Sequence, residues 1–299
     1  MKHWIEAMRL RTLPLALSSV LAGSALVGHK NASFGVIVGF AVLTTVLLQI
    51  LSNLANDYGD SQNGADNDGR IGPKRAVQAG IISPKSMLRA IIINAVLAFL
   101  SGLALLWVSF GKGGHWLWLT GFLLLGLGAI AAAVKYTAGK NPYGYRGLGD
   151  LFVLLFFGLV GVAGTYVLHV GELSGAVFLP AIAIGAFSTA VLNLNNLRDH
   201  QNDASAGKRT LVVIFGYSRA RYYHLSLFVI AWSSLVAYLL WLAPSVWMAL
   251  ILVFLPLHVV HIKHVFSTTE PAKLDPELKK IALTTFGLAF ILFVVSLLK

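Results

Sequence analysis

Residues 34–60 read FGVIVGFAVLTTVLLQILSNLANDYGD, an almost unbroken oily run that closes on Asn56, Asp57 and Asp60. Residues 178–203, FLPAIAIGAFSTAVLNLNNLRDHQND, repeat the arrangement and close on Asn195, Asn196, Asp199 and Asp203. The same interval separates Asn56 from Asn195 and Asp60 from Asp199. A run of this length without charge is a membrane-spanning helix, because backbone groups in lipid must bond within their own segment. The chain has only 12 carboxylates, and six of them (Asp57, Asp60, Asp66, Asp68, Asp199 and Asp203) lie in or just after these two endings. Acids at membrane depth are expensive and mark function, so the endings point to a site for a divalent metal and a polyanion.

The composition agrees. Hydrophobic residues make up 57% of the 299, mean hydropathy is +0.76 and only 12% are charged, against about a quarter in soluble domains. The chain is therefore an all-α, polytopic membrane bundle read as a single domain, 1–299. With no cysteine, disulfides, thiolate metal sites and cysteine nucleophiles are excluded. A net charge of +11 raises nucleic acid as a partner, but the basic residues are scattered through short loops and no nucleic acid is expected. Apolar runs can be marked at 13–29, 34–56, 88–110, 115–135, 150–170, 174–196, 222–242, 244–264 and 280–298, giving about nine spans. The first, behind Lys2, Arg9 and Arg11, resembles a secretory signal, but the many later spans favour its retention.

Basic residues orient the bundle. With the N-terminus inside, 20 of the 23 Lys and Arg fall in cytoplasmic segments; Lys30, Lys112 and Lys299 are the remainder. This bias predicts a multi-pass membrane protein with its N-terminus and both acidic endings on the cytoplasmic side and its C-terminus outside. Two spans ending in matching motifs on one side imply a parallel duplication, with pseudo-repeats of roughly 1–146 and 147–299.

If the helices continue through their endings, Asp57 and Asp60 share one face, and so do Asp199 and Asp203. Carboxylate and amide oxygens suit Mg²⁺, which completes its shell with water and phosphate oxygens. The expected metal set is Asn56, Asp57, Asp60, Asp66, Asn195, Asn196, Asp199 and Asp203. The ligand spacing of an EF-hand is absent. Arg70, Lys74 and Arg75 follow the first ending, while Arg198, Lys208 and Arg209 lie in or after the second. Acid for metal beside base for phosphate oxygens is the layout of diphosphate chemistry.

Three ordered stretches carry a family resemblance: NDYGD with GPKRAVQAG, the central YTAGKNPYGYRGLGD, and NNLRDHQNDASAGKRTL. Together they resemble the UbiA superfamily of intramembrane aromatic prenyltransferases over essentially the whole chain. PYGYRGLGD and RTLPLALSSVLAGSA are most similar to its 1,4-dihydroxy-2-naphthoate polyprenyltransferase branch, which makes demethylmenaquinone. The resemblance implies a nine-helix bundle around a central cavity capped by cytoplasmic loops, and Mg²⁺ dependence. The implied partners are a polyprenyl diphosphate, an aromatic acid and membrane lipid. One departure is internal: the position matching Asp203 is Gly64, so the first ending uses Asp66 or relies on Asp57 and Asp60 alone. The expected catalytic set is Asp57, Asp60, Asp199, Asp203, Lys140 and Tyr136, with Lys140 also on the diphosphate. Arg11, Tyr136, Tyr143 and Tyr145 are placed near the aromatic acceptor, the arginine for a carboxylate and the rings for stacking or cation shielding. A 4-hydroxybenzoate enzyme and a cation or organic-anion transporter are the rival readings.

Other features read as structural. His258, His261 and His264 are expected as interfacial polar residues, and Gly158, Gly161 and Gly164 as packing positions. Trp107, Trp116, Trp118, Trp241 and Trp247 form an aromatic belt.

Overall fold

The computed structural model describes residues 2–28, 32–64, 71, 75–111, 113–241 and 248–298. Among them there is no strand. The helices are α1 (Lys2–Met8), α2 (Leu13–Ala25), α3 (Phe34–Gln62), α4 (Pro84–Phe110) and α5 (Trp116–Lys135). Then come α6 (Gly149–Val170), α7 (Phe178–Ser205), α8 (Leu211–Phe215), α9 (Tyr217–Trp241), α10 (Phe254–Ser267) and α11 (Asp275–Leu297). Eight of these, counted with their flanking turns, are long and apolar enough to cross a membrane. The span expected at 13–29 is the exception: α2 has 13 residues, and Gly28 follows its end with φ of 70°. Such a left-handed glycine stops a helix at little steric expense.

α3 and α7 both run on beyond their oily stretches, to Gln62 and Ser205, so all four described acids of the two endings lie on helix. Each of these helices packs along the long helix that follows it, α3 with α4 and α7 with α9. The middle of α6, Leu154–Ala163, is wound as a π-helix, a form concentrated at functional sites. A Cβ on Gly158 would lie 2.6 Å from the Ala181 carbonyl oxygen, and one on Gly161 would lie 2.6 Å from Ser19 Cβ. These glycines let α6 meet α7 and α2 at backbone distance, whereas Gly164 has only ordinary contact with Phe122.

The two ends of the chain pack differently. α2, α7, α9 and α11 close on a solid core around Ile184, Phe187, Leu235 and Leu288. α2 to α6 instead enclose a cavity of about 410 Å³, to which α7 contributes Leu192. Two of the three histidines of α10 lie inside the protein, while His264 is half-buried. His258 and His261 are buried; His261 Nδ1 lies 2.6 Å from Glu277 Oε2 and its Nε2 lies 2.9 Å from His224 Nε2. Trp232 donates to His258 Nδ1 at 3.1 Å. Buried polar groups need such partners, and these come from α9 and α11, invisible to a reading of α10 alone. Trp107, Trp116 and Trp241 stand exposed at helix ends, Trp118 is half-buried, and Trp247 lies outside the described residues.

Candidate active site

At the end of α3, Asp57 is buried and accepts the backbone N–H groups of Ala76 and Val77, each at 3.1 Å. Those two bonds pin the returning chain and set Arg75 3.6 Å from Asp60. The other oxygen of Asp60 accepts the Tyr145 hydroxyl at 2.9 Å. Gly59 is required here: a Cβ would sit 2.5 Å from the Thr137 carbonyl carbon and 2.6 Å from Ala138 N. That close approach lets Thr137 donate to Asn56 Oδ1 at 3.1 Å and Asn63 donate to Thr137 O at 2.7 Å. The central loop is thus stitched onto the first acidic ending.

At the end of α7, Arg198 clamps Asp199, with Nε to Oδ1 at 2.9 Å and Nη2 to Oδ2 at 2.6 Å. The same guanidinium reaches Asn195 Oδ1 at 2.8 Å and pairs with Asp275. Its planar fork is taken up by these protein oxygens. Asp203 lies 3.6 Å from Lys208, while its Oδ2 is buried without a hydrogen bond. Asn196 is buried beside them.

Tyr145 joins the two endings. Its hydroxyl serves Asp60, its ring lies 5.4 Å beneath the Lys208 ammonium, and its carbonyl accepts the Arg209 N–H at 3.0 Å. The sequence placed Tyr145 against an aromatic acceptor; the structure gives it a bridging position between α3 and the loop after α7. Tyr136 sits where the endings converge: burial pushes its phenol up, and Asp150 and Asp60 add to the shift, with Asp203 also felt. The upward shift favours its protonated form.

Other expected residues fall elsewhere. Arg11 is exposed on the turn before α2 and does not line the cavity. Arg9, which the sequence reading passed over, has a left-handed backbone (φ 48°) and sets Nη2 3.5 Å from Asn53 O; it too lies outside the cavity lining. Lys140 and Arg209 have exposed side chains. Tyr143 donates to Ala132 O at 2.9 Å and stacks on Phe152 at 4.1 Å, and burial pushes its phenol up. Asp66, Arg70 and Lys74 lie outside the described residues.

Among the described residues, no three His, Asp or Glu side chains close on one point. The donor chemistry nevertheless fits a hard cation: carboxylate and amide oxygens, one of them the orphaned Asp203 Oδ2, with few protein ligands needed because phosphate and water complete the shell. Directly below, the cavity opens with Asn56, Ser52, Gln49 and Tyr136 and continues between apolar walls such as Leu105 and Phe122. The arrangement offers charge for a diphosphate above a largely apolar cavity.

Comparison with known proteins agrees with this geometry. The model of the UbiA prenyltransferase family matches residues 16–296. A 1,4-dihydroxy-2-naphthoate octaprenyltransferase of Haemophilus influenzae is 43% identical over 300 residues, covering 100% of this chain and 96% of the relative. The Escherichia coli protein of the same name is 44% identical over 277 residues, covering 93% and 89%. A UbiA homolog from Archaeoglobus fulgidus, solved with GPP and Mg²⁺, superposes with a TM-score of 0.65 at 17% identity, covering 98% of this chain and 99% of that one. The family match across nearly the whole length, the full-length relatives and the shared helical fold establish that this chain belongs to the UbiA prenyltransferase family.

Proposed function

We infer that the protein transfers a polyprenyl group from polyprenyl diphosphate to 1,4-dihydroxy-2-naphthoate, releasing diphosphate and CO₂. The allylic C–O bond breaks and its electron pair leaves with the diphosphate. The ring carbon that bears the carboxylate bonds to the allylic carbon, and the C–CO₂ bond returns its pair to the ring. The product is demethylmenaquinone in its reduced form. The observation that carries this reading is the meeting of both acidic endings at Tyr145 above an apolar cavity; the names of the full-length relatives supply the acceptor.

Asp60, Asp199 and Asp203, with Asn56, Asn195 and Asn196, would hold Mg²⁺, which supplies positive charge to the diphosphate oxygens. Asp66 is a further candidate. Asp57 acts at one remove by fixing the loop that carries Arg75, and Arg198 by orienting Asp199. Arg75 and Lys208, each 3.6 Å from a carboxylate, are placed to exchange those oxygens for phosphate oxygens; Arg70, Lys74, Lys140 and Arg209 are additional phosphate candidates. Tyr136 offers a phenol at the reacting end, and the apolar walls of the cavity limit capture of the allylic cation by water. The Lys and Arg bias supports placing these loops on the cytoplasmic side, and the bacterial relatives support an inner-membrane location.

The test is incubation of the purified protein with Mg²⁺, a polyprenyl diphosphate and a panel of aromatic acids, with products read by mass. Decarboxylated, prenylated naphthalenediol is the expected product. Prenylated 4-hydroxybenzoate that keeps its carboxylate would replace the acceptor, and label moving across vesicles without diphosphate release would replace the enzyme with a transporter.

A further inference from the structure

A polyprenyl tail needs only hydrocarbon around it, and most of the cavity supplies that. α3 is different: it turns Thr45, Gln49, Ser52 and Asn56 toward the cavity, a spacing that puts all four on one helix face. Hydrogen-bonding groups set against a hydrocarbon chain lose hydration and gain nothing, so the tail does not account for them. Two of the four are informative. Gln49 is fixed by its own bonds, Nε2 to Thr12 Oγ1 at 3.2 Å and to Asn53 Oδ1 at 3.4 Å. Asn53 is anchored in turn on Met8 O at 2.9 Å. The Ser52 hydroxyl makes no hydrogen bond to another described residue, although it borders the cavity.

α6 and the turn before it contribute rings to the same cavity. Tyr136 and Tyr143 meet edge to face at 5.3 Å, Tyr143 and Phe152 stack at 4.1 Å, and Phe152 and Phe156 follow at 6.1 Å. The row begins at the acidic endings and leads inward. Flat apolar surface together with hydrogen-bonding groups on a rigid helix suits a planar aromatic molecule that carries ring oxygens.

We propose that Ser52 and Gln49 on α3, with Phe152 on α6, form the subsite that positions the aromatic acceptor, the amide and hydroxyl bonding its ring oxygens while its ring packs against Phe152. This assignment rests on the aromatic-acceptor reading given above and adds to it the residues that choose the acceptor. The tail then occupies the apolar remainder of the cavity and the lipid beyond.

The test is anaerobic equilibrium binding of 1,4-dihydroxy-2-naphthoate, followed by its own fluorescence, to the full-length protein without diphosphate, alongside steady-state kinetics in which each substrate is varied. Ser52→Ala removes a group with no protein partner, so folding and membrane insertion are kept. It should weaken naphthoate binding about five- to tenfold, the size of one neutral hydrogen bond, and raise the acceptor KM equally, with the polyprenyl diphosphate KM unchanged. Ser52→Thr should restore affinity, and Phe152→Leu should repeat the loss. Unchanged naphthoate affinity in both Ser52→Ala and Phe152→Leu overturns the subsite, as does a rise confined to the polyprenyl diphosphate KM. Wild-type protein that binds naphthoate through Ser52 but never prenylates it supports the subsite and sinks the transfer reaction instead.

Discussion

The two acidic endings match in sequence but are held by different means. Each sets one carboxylate 3.6 Å from a cation, Asp60 from Arg75 and Asp203 from Lys208. At the end of α3 the other bonds come from neutral donors, two backbone N–H groups on Asp57 and a phenol on Asp60. At the end of α7 a second cation, Arg198, clamps Asp199. The first ending therefore organises other parts of the chain, pinning the return loop and the central loop. The second holds its acids against cations of its own stretch. One motif repeated in a chain does not imply one job repeated in the site.

The sharpest challenge to that contrast is a pair of isosteric changes. Asp60→Asn and Asp199→Asn should each lower kcat/KM by at least about a hundredfold, the size seen when a preorganised electrostatic partner of the transition state is removed. Membrane insertion should be unaffected, as read from purified yield and helical circular dichroism. Near-normal turnover in either variant would remove that residue from the reacting centre. Asp57→Asn should behave differently. The amide keeps one acceptor oxygen, so one of the two loop N–H groups loses its partner, a loss of about 1–3 kcal/mol for a buried group. The expected result is a lowered thermal midpoint and about a tenfold loss of activity, partly recovered by high diphosphate substrate. A loss as deep as that of Asp60→Asn, with no thermal change, would return Asp57 to direct contact with metal.

How far the sequence reaches can be seen residue by residue. The helices were legible because runs such as 34–55 admit no other structure in lipid, and the acidic endings because acids there are so rare. Gly59 could have been singled out, since glycine between two motif residues signals close backbone approach. The bridging place of Tyr145 was not legible: its partners Asp60 and Lys208 are 85 positions before it and 63 after it, and a tyrosine beside a membrane reads equally as an anchor. Arg9 and Arg11 are indistinguishable in sequence, and only the structure shows that Arg9 reaches the backbone of α3 at Asn53. His258 and His261 failed for the same reason, since a histidine on an apolar helix looks alike whether it faces headgroups or a buried glutamate. α2 was overestimated because Leu26 and Val27 continue its oily run past the helix end at Ala25.

Tyr145→Phe separates the two functions of the bridge. It deletes the hydroxyl on Asp60 and keeps the ring beneath Lys208, so the second ending should be untouched. One hydrogen bond to a charged acceptor is worth about 1.5–3 kcal/mol, and a fall in kcat of about ten- to a hundredfold is expected with little change in the diphosphate KM. Equal falls in Tyr145→Phe and Tyr145→Ala would mean that the ring contributes nothing.

The smallest expected effect tests the second half of the contrast. Lys208 is nearly buried, 3.6 Å from Asp203 and over the Tyr145 ring. If its ammonium passes from Asp203 to the phosphate, Lys208→Gln should raise the polyprenyl diphosphate KM by about three- to tenfold, leaving the naphthoate KM within twofold. Lys208→Arg should fall between, because a guanidinium keeps the charge but not the point geometry. The added signature is salt: a cation that binds phosphate contributes less as ionic strength rises, so the gap between wild type and Lys208→Gln should narrow in high salt. A gap that is independent of salt, or equal for both substrates, would make Lys208 a clamp on Asp203 alone and bring the second ending closer in kind to the first.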